Sequence, residues 1–146
     1  MKRHLILFFA FVVLGLCATS AQASCTASTI SGTYGFVSQG YAGKPGDPLQ
    51  QFYAFVVVGT MTFNADGTVN RPATISFAGN LDSATTSGTY TVNSDCSGTM
   101  AFNVPAGVET FSFTIVQKGN VILFINTTEN ILPKLGFVQS GRAEKQ

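Results

Sequence analysis

After residue 24, polar and apolar residues alternate in short runs separated by turn residues such as Asp66-Gly67. A repeat of two residues is typical of β-strands that pack one face and leave the other in water, and almost no stretch has the 3.6-residue repeat of a helix. The pattern predicts an all-β chain with eight strands, at residues 32–39, 52–64, 68–77, 88–93, 98–104, 108–117, 121–126 and 134–142.

If these strands pair in sequence order as antiparallel neighbours, every connection falls at one of two ends of the sheet. At one end, here called the base, the connections are 64–67, 94–97 and 118–120, all of them short. At the other end, the mouth, they are 40–51, 78–87, 105–107 and 127–133, and three of these are long. This favours an eight-stranded antiparallel up-and-down barrel, whose closure removes the sheet edges. A two-sheet β-sandwich is the alternative, but its crossovers would have few places between such tight hairpins.

The tripeptide Gly-Thr followed by Tyr, Met or Val recurs along the strands, at residues 32–34, 59–61, 67–69, 88–90 and 98–100. Glycine allows a tight or closely packed backbone where a strand starts or bends, threonine suits the wet face, and the third residue points to the core. Two of the copies begin Ser-Gly-Thr-Tyr, which a duplication would also explain, although the copies are unevenly spaced. The many Phe and Met residues on the inward positions predict a largely filled interior.

The first 23 residues have the pattern of a signal peptide. Lys2 and Arg3 precede an apolar run, and Ala21-Gln22-Ala23 is a small-x-small cleavage site. The run is too short to cross a bilayer, which needs about 20 apolar residues. We therefore expect cleavage near Ala23, a secreted or periplasmic location, no membrane span, and a single barrel domain at residues 24–146.

Two cysteines, Cys25 and Cys96, remain after this cleavage, and in an exported protein they are expected to form a disulfide. Cys25 precedes the first strand and Cys96 lies in the fourth-to-fifth turn, so both fall at the base. The only histidine, His4, is lost with the signal peptide. The remaining chain is close to neutral and has no basic stripe, so a nucleic-acid partner is not expected.

The residues offer little for catalysis, a metal or a cofactor, and we assign none. Without histidine a Ser-His-Asp triad and a histidine zinc site are excluded, and no P-loop is present. Glu109 is at an inward-facing position near the mouth, where it is either an acid or polar ligand anchor in the interior or a solvated rim residue. Tyr53 and Phe111 join it as candidate ligand-binding residues, with 40–51 as a lid. Arg71 also has inward parity but falls at the base, so we expect a structural cap there, not one site with Glu109; Pro72 could bulge the strand.

Several residues carry resemblances to known families. Gly32-Thr33-Tyr34 on the first strand and Arg142 on the last resemble the base of lipocalins, where an aromatic residue packs under an arginine, which implies that Tyr34 and Arg142 form a structural base. The block Gly88-Thr89-Tyr90 with Asp95-Cys96-Ser97-Gly98-Thr99 is similar to small exported bacterial proteins with no assigned function. The architecture is also similar to allene oxide cyclase and dirigent barrels. None of these resemblances supplies catalytic residues.

Three functions are compatible with this sequence. The first is a non-enzymatic exported barrel that binds a small apolar ligand at its mouth, and the second is a barrel enzyme of cyclase or isomerase type. The third is a surface or matrix protein that forms homo-oligomers through two segments apolar on both faces, from Phe52 to Val58 and from Val121 to Ile125. Alternatively, loops or residues 24–30 cover the outer sides of these segments.

Overall fold

The computed structural model describes residues 24–43, 51–128 and 137–146. Its strands are β1 Gly32–Gly43, β2 Phe52–Phe63, β3 Thr68–Phe77, β4 Asn80–Val92, β5 Ser97–Val104, β6 Gly107–Val116, β7 Val121–Asn126 and β8 Phe137–Lys145, with short 3-10 turns at Ala27–Thr29 and Gln117–Gly119. Each strand pairs antiparallel with the next, and β8 pairs with β1 from Tyr34↔Lys145 to Ala42↔Phe137. The predicted closed up-and-down barrel is confirmed, and the sandwich alternative is wrong. The predicted signal peptide lies outside the described residues.

The largest difference from the predicted strands is at β4, which begins at Asn80, eight residues earlier than expected. Residues 78–87 are therefore not a long mouth loop. They contain a tight turn in which Ala78 and Gly79 both have positive φ, 47° and 83°, followed by strand. The early part of β4 is almost entirely exposed, so its sequence has no apolar alternation to reveal it.

Aromatic side chains fill the lower half of the barrel. The rings of Tyr34 and Tyr90 both meet Phe63 edge-on, at centroid distances of 5.5 and 5.1 Å. Phe111 makes similar contacts with Phe102 at 6.0 Å and with Phe124 at 5.7 Å. All of these rings are buried, so this half is a packed core, and such edge-to-face pairs stabilise it beyond the area that they bury.

Two inward-facing glycines are part of that packing. Gly98 pairs with Phe113 across β5 and β6, and Gly141 pairs with Phe124 across β7 and β8. A Cβ on either glycine would overlap the ring of its partner. The phenylalanine therefore lies over bare backbone, which explains the Gly-Thr copy at residue 98 by close packing.

Residues 24–30 close the base. Ile30 is completely buried in the core, and Cys25 is joined to Cys96 by a disulfide with a Cα–Cα distance of 4.9 Å. On the other side, Gly119 packs so closely against the Thr29 carbonyl that a Cβ there would overlap it, and Gly119 has a φ of 91°. The amino-terminal segment is thus attached to the turns on two sides of the base.

Two base turns share a sequence pattern and a hydrogen-bond pattern. Residues 64–68 and 93–97 both read Asn-x-Asp-x-Thr/Ser. In each turn the aspartate Oδ1 accepts from the backbone N–H and the hydroxyl of the last residue, at 2.9 and 2.7 Å in the first turn and 2.9 and 2.6 Å in the second. These hydrogen bonds lower the pKa of Asp66 and of Asp95. The turn geometry is therefore fixed locally at both positions.

The outer wall of β7, β8, β1 and β2 carries exposed apolar side chains. These residues, here called the apolar outer face, are Val37, Tyr41, Val56, Val58, Leu123, Ile125 and Val138. The alternative that residues 24–30 cover this wall is wrong, because that segment closes the base. Residues 44–50 and 129–136, which belong to the loops that could cover it, lie outside the described residues.

Candidate ligand cavity at the mouth

The upper half of the barrel contains a cavity of about 300 Å³. Its walls are mainly apolar, formed by Phe55, Val57, Ala73, Ile75, Ala84, Val104 and Pro105. Four polar residues also line it, Arg71, Thr86, Glu109 and Gln139. The interior is thus filled at the base and hollow at the mouth, where a largely filled interior was expected.

Arg71 and Glu109 form an ion pair beside this cavity. The Nη2 of Arg71 donates to Oε2 of Glu109 at 2.6 Å, and the side chains are only 10% and 12% exposed. The expectation that these residues belong to separate ends of the barrel is wrong. Arg71 is not a cap of the base, since it faces the cavity.

The stagger of the strands explains this meeting. From β3 to β6 one row of paired residues runs from Val69 to Gly88, then to Phe102 and to Glu109. Glu109 at the mouth end of β6 therefore lies level with Val69, near the base end of β3. Arg71 is two residues further along β3, on the same inward face. Such a displacement is required when tilted strands close into a barrel.

The rest of the Arg71 surroundings holds its guanidinium in one place. Its central carbon lies 3.9 Å from the centroid of the Phe102 ring and 5.7 Å from that of Phe111. Its Nε donates to the Thr86 hydroxyl at 3.0 Å. Planar stacking on an aromatic ring and hydrogen bonding in the guanidinium plane both fix the arginine.

Glu109 has a second partner in addition to Arg71. Asn126 on β7 donates from Nδ2 to Oε1 of Glu109 at 3.3 Å. Each carboxylate oxygen therefore accepts one hydrogen bond from a neighbouring side chain. Thr86, Arg71, Glu109 and Asn126 form a continuous polar chain across one side of the barrel, which we call the polar chain.

Gln139 lies in another part of the cavity wall, on β8. It is 3% exposed, and its Nε2 donates to Oγ of the completely buried Ser38 at 2.8 Å. Its Oε1 is buried and has no hydrogen-bond partner within residues 24–43, 51–128 and 137–146. Buried side-chain oxygens are rarely left in this state.

The three candidate ligand-binding residues occupy different levels. Glu109 lines the cavity, whereas Phe111 lies deeper, completely buried among the core rings. Tyr53 is half-buried, with its ring 6.2 Å from that of Phe77 and its hydroxyl donating to Oε1 of Gln51 at 3.1 Å. The structure therefore brings only Glu109 of the three to the cavity surface. Residues 44–50 of the expected lid lie outside the described residues.

At the base, the cation beside Tyr34 is not the expected one. Arg142 pairs with Val37 and Leu123, on the outer side of the barrel, and binds Glu144. The Nζ of Lys145 instead lies 5.7 Å from the centroid of the Tyr34 ring, whose hydroxyl donates to the Gly119 carbonyl. The lipocalin-like pairing of Tyr34 with Arg142 is absent from this structure.

Burial also changes the chemistry of the base tyrosines. Desolvation, with a smaller contribution from Tyr90, raises the pKa of Tyr34 to about 12. Burial and the charge of Asp66 raise the pKa of Tyr90. Both hydroxyls donate to backbone carbonyls, Tyr90 to that of Asn64 at 2.6 Å, so they act as structural links.

Sequence reasoning missed most of the polar groups around the cavity. Ser38 and Gln139 occupy the alternate positions of their strands that face the barrel interior. This alternation is the signal that could have identified them. Within the described ranges no cluster of three or more acidic, Cys or His residues could hold a metal ion. In the same ranges no helix is long and apolar enough to cross a membrane.

Comparison with known proteins supports the architecture. No protein-family model matches this chain, and no curated protein matches it. Among solved structures, it is similar to a de novo designed fluorescence-activating β-barrel, with 14% identity and a TM-score of 0.51, over 82% of this chain and 96% of that one. At this identity the likeness shows the fold alone, a closed β-barrel.

Proposed function

We propose that this barrel binds a small, mostly apolar molecule in the cavity at its mouth. The supporting observation is the cavity itself, about 300 Å³ with apolar walls and a few buried polar groups. Ligand sites have this composition, in which apolar walls supply affinity and a few polar groups fix orientation. The volume is at the lower end of the range of about 300–1,000 Å³ usual for such sites, so the ligand is small.

Binding is favoured over the cyclase or isomerase alternative by the state of Glu109. A catalytic acid or base needs an oxygen within reach of the reacting proton. Both Glu109 oxygens already accept hydrogen bonds, from Arg71 and Asn126. The polar chain therefore acts as a fixed part of the wall.

A dye titration with a matched pair of variants tests this function. The neutral dye N-phenyl-1-naphthylamine should gain fluorescence on binding and saturate with wild-type protein. Ala84→Phe places a ring in the cavity wall, whereas Thr85→Phe places the same ring on the adjacent outward position. We expect loss of dye binding in the first variant and wild-type binding in the second. Equal binding by both variants, or no saturable binding by the wild type, would contradict the proposal.

We further propose that residues 1–23 are a signal peptide and that residues 24–146 form the exported domain. The Cys25–Cys96 disulfide supports export, because such bonds persist in oxidising compartments. Amino-terminal sequencing of the protein from its source should begin near Ser24. A chain that retains residues 1–23 would contradict this proposal.

A second candidate function is self-association through the apolar outer face, with a second copy of the chain as the partner. The face spans four adjacent strands, and Arg142 and Glu144 are the charged side chains among the described outward residues of these strands. A two-fold axis passing between these two residues would set the arginine of each copy near the glutamate of the other. Since the barrel is closed, such a contact must use these side chains and not a free strand edge.

Light scattering after gel filtration tests this association. The wild type should have twice the monomer mass, and Val37→Lys should return it to the monomer. Thr99→Lys, on the exposed polar wall of β5, is the matched control and should remain dimeric. A wild type that stays monomeric at high concentration would contradict self-association.

A further inference from the structure

We infer that the ligand of this cavity is a neutral molecule with a hydrogen-bond donor, an alcohol, phenol or N–H group, which binds Oε1 of Gln139. This inference rests on the proposed binding function and specifies the chemistry of the ligand. It follows from a difference between the polar groups of the cavity: Arg71 and Glu109 bind each other, whereas Oε1 of Gln139 accepts no hydrogen bond within the described residues.

The charged groups already have their partners. Arg71 and Glu109 are 2.6 Å apart, and Thr86 and Asn126 bind the two ends of the pair. An ionic ligand would lose its hydration beside a pair whose charges already neutralise each other, so its own charge would remain uncompensated in a mostly apolar cavity, which is unfavourable. The polar chain therefore selects against ions and favours a neutral molecule.

Among the described cavity residues, Gln139 is the one with a buried polar atom that has no hydrogen-bond partner. Its amide nitrogen is held by the hydroxyl of Ser38, so the amide carbonyl is the group left over. Within the described part of the chain this buried oxygen accepts no hydrogen bond. A buried acceptor without a donor is unfavourable, and a ligand donor would relieve it.

The backbone around Gln139 holds the amide in place. Ser38 pairs across the strands with Gly141, and a Cβ on Gly141 would come within 2.6 Å of the Ser38 Cβ. The missing side chain thus leaves room for the serine, which anchors the glutamine nitrogen. In the strand order, β8 lies opposite β4, so Gln139 and Thr86 are on opposite sides of the barrel. Asn126, at the other end of the polar chain, is on β7 next to β8, but Gln139 hydrogen-bonds to Ser38 and not to a member of the chain.

The inference is tested by two probes that differ in one donor. Calorimetric titration compares 2-naphthol, which carries a hydroxyl, with 2-methoxynaphthalene, which has the same ring system and no donor. A hydrogen bond to a buried acceptor contributes about tenfold in affinity. We expect the wild type to bind 2-naphthol about tenfold more tightly than the ether.

Variants assign the preference to Gln139. Gln139→Met keeps the length of the side chain and removes the acceptor, so the two probes should bind equally. Gln39→Met, the same change on the exposed side of β1, is the matched control and should keep the preference. If Gln139→Met does not fold, Ser38→Ala releases the amide from its anchor and should reduce the preference.

The outcomes distinguish a failure of this inference from a failure of the proposed ligand-binding function. Equal affinity of the wild type for both probes, or a preference that survives in Gln139→Met, would overturn the inference while cavity binding stands. Failure of both probes to bind would contradict the binding function and the inference together.

Discussion

Arg71 and Glu109 are 38 residues apart in the sequence, yet their side chains meet at 2.6 Å in the barrel interior. A second ion pair, Arg142 with Glu144, has the same 2.6 Å separation but lies on the outer wall, where its side chains are 47% and 63% exposed. These two ion pairs of the described residues thus have the same length but different surroundings. The burial of each pair decides how much its loss changes the free energy of unfolding.

Breaking the buried pair should destabilise the protein strongly. Glu109→Ala leaves the Arg71 guanidinium uncompensated in the interior, and we expect a loss of about 3–5 kcal/mol in the free energy of unfolding. Glu144→Ala, in the exposed pair, should lose at most about 1 kcal/mol. Urea denaturation of both variants measures the difference. Similar losses in both would show that the Arg71–Glu109 pair is not buried as described.

Reduction of the disulfide should weaken the base. The Cys25–Cys96 bond joins residues 71 positions apart, and its loss raises the conformational entropy of the unfolded chain. We expect the Cys25→Ser/Cys96→Ser protein to unfold with about 2–5 kcal/mol less free energy than the oxidised wild type. Denaturation with and without reductant is the measurement. A wild-type midpoint insensitive to reductant would argue against the bond.

Gly98→Ala should destabilise the core despite the small size of the change. The new Cβ would overlap the Phe113 ring and the Thr91 carbonyl, so the ring must move. Overpacking of this kind reduces stability by about 1–3 kcal/mol. Asn103→Ala, at an exposed position of the same strand, is the control and should change stability by no more than about 0.5 kcal/mol. A neutral Gly98→Ala would contradict the close approach.

Stability should fall in the alkaline range because of Tyr34. Burial raises its pKa from 10.0 to about 12, so the folded state holds a proton that the unfolded state releases. The stabilisation from this group is complete below pH 10 and is lost as the pH rises towards 12. Tyr34→Phe should make the decline shallower, whereas Tyr41→Phe, on an exposed ring, should not. Unfolding curves across this alkaline range measure it, and equal slopes in wild type and Tyr34→Phe would count against the shift.

The sequence was sufficient for the architecture because the same alternation that forms each strand also assigns its faces. The alternation of polar and apolar residues and the positions of the turns predict the number of strands and their pairing order. They also predict that Cys25 and Cys96 lie at the same end of the barrel. The exposed half of β4 was missed because neither of its faces is packed. Alternation signals burial, and a strand that continues beyond the core leaves no such signal.

The candidate site was harder to predict because it depends on the stagger between strands. Because Arg71 lies near the start of β3, the sequence predicted it at the base. The pairing register from β3 through β4 and β5 to β6 brings it beside Glu109. A similar difference of register sets Lys145 and not Arg142 beside Tyr34. Register in a barrel is set by closure of the whole sheet, so local sequence does not reveal it.

Methyl NMR during a titration with 2-naphthol tests most directly whether the hollow mouth is a binding site. Methyl groups of Ile75 and Val104 line the cavity, while those of Val37 and Leu123 lie on the apolar outer face. We predict saturable shifts at Ile75 and Val104 and unchanged signals at Val37 and Leu123. Shifts confined to the outer face, or none at saturating probe, would contradict ligand binding inside the barrel.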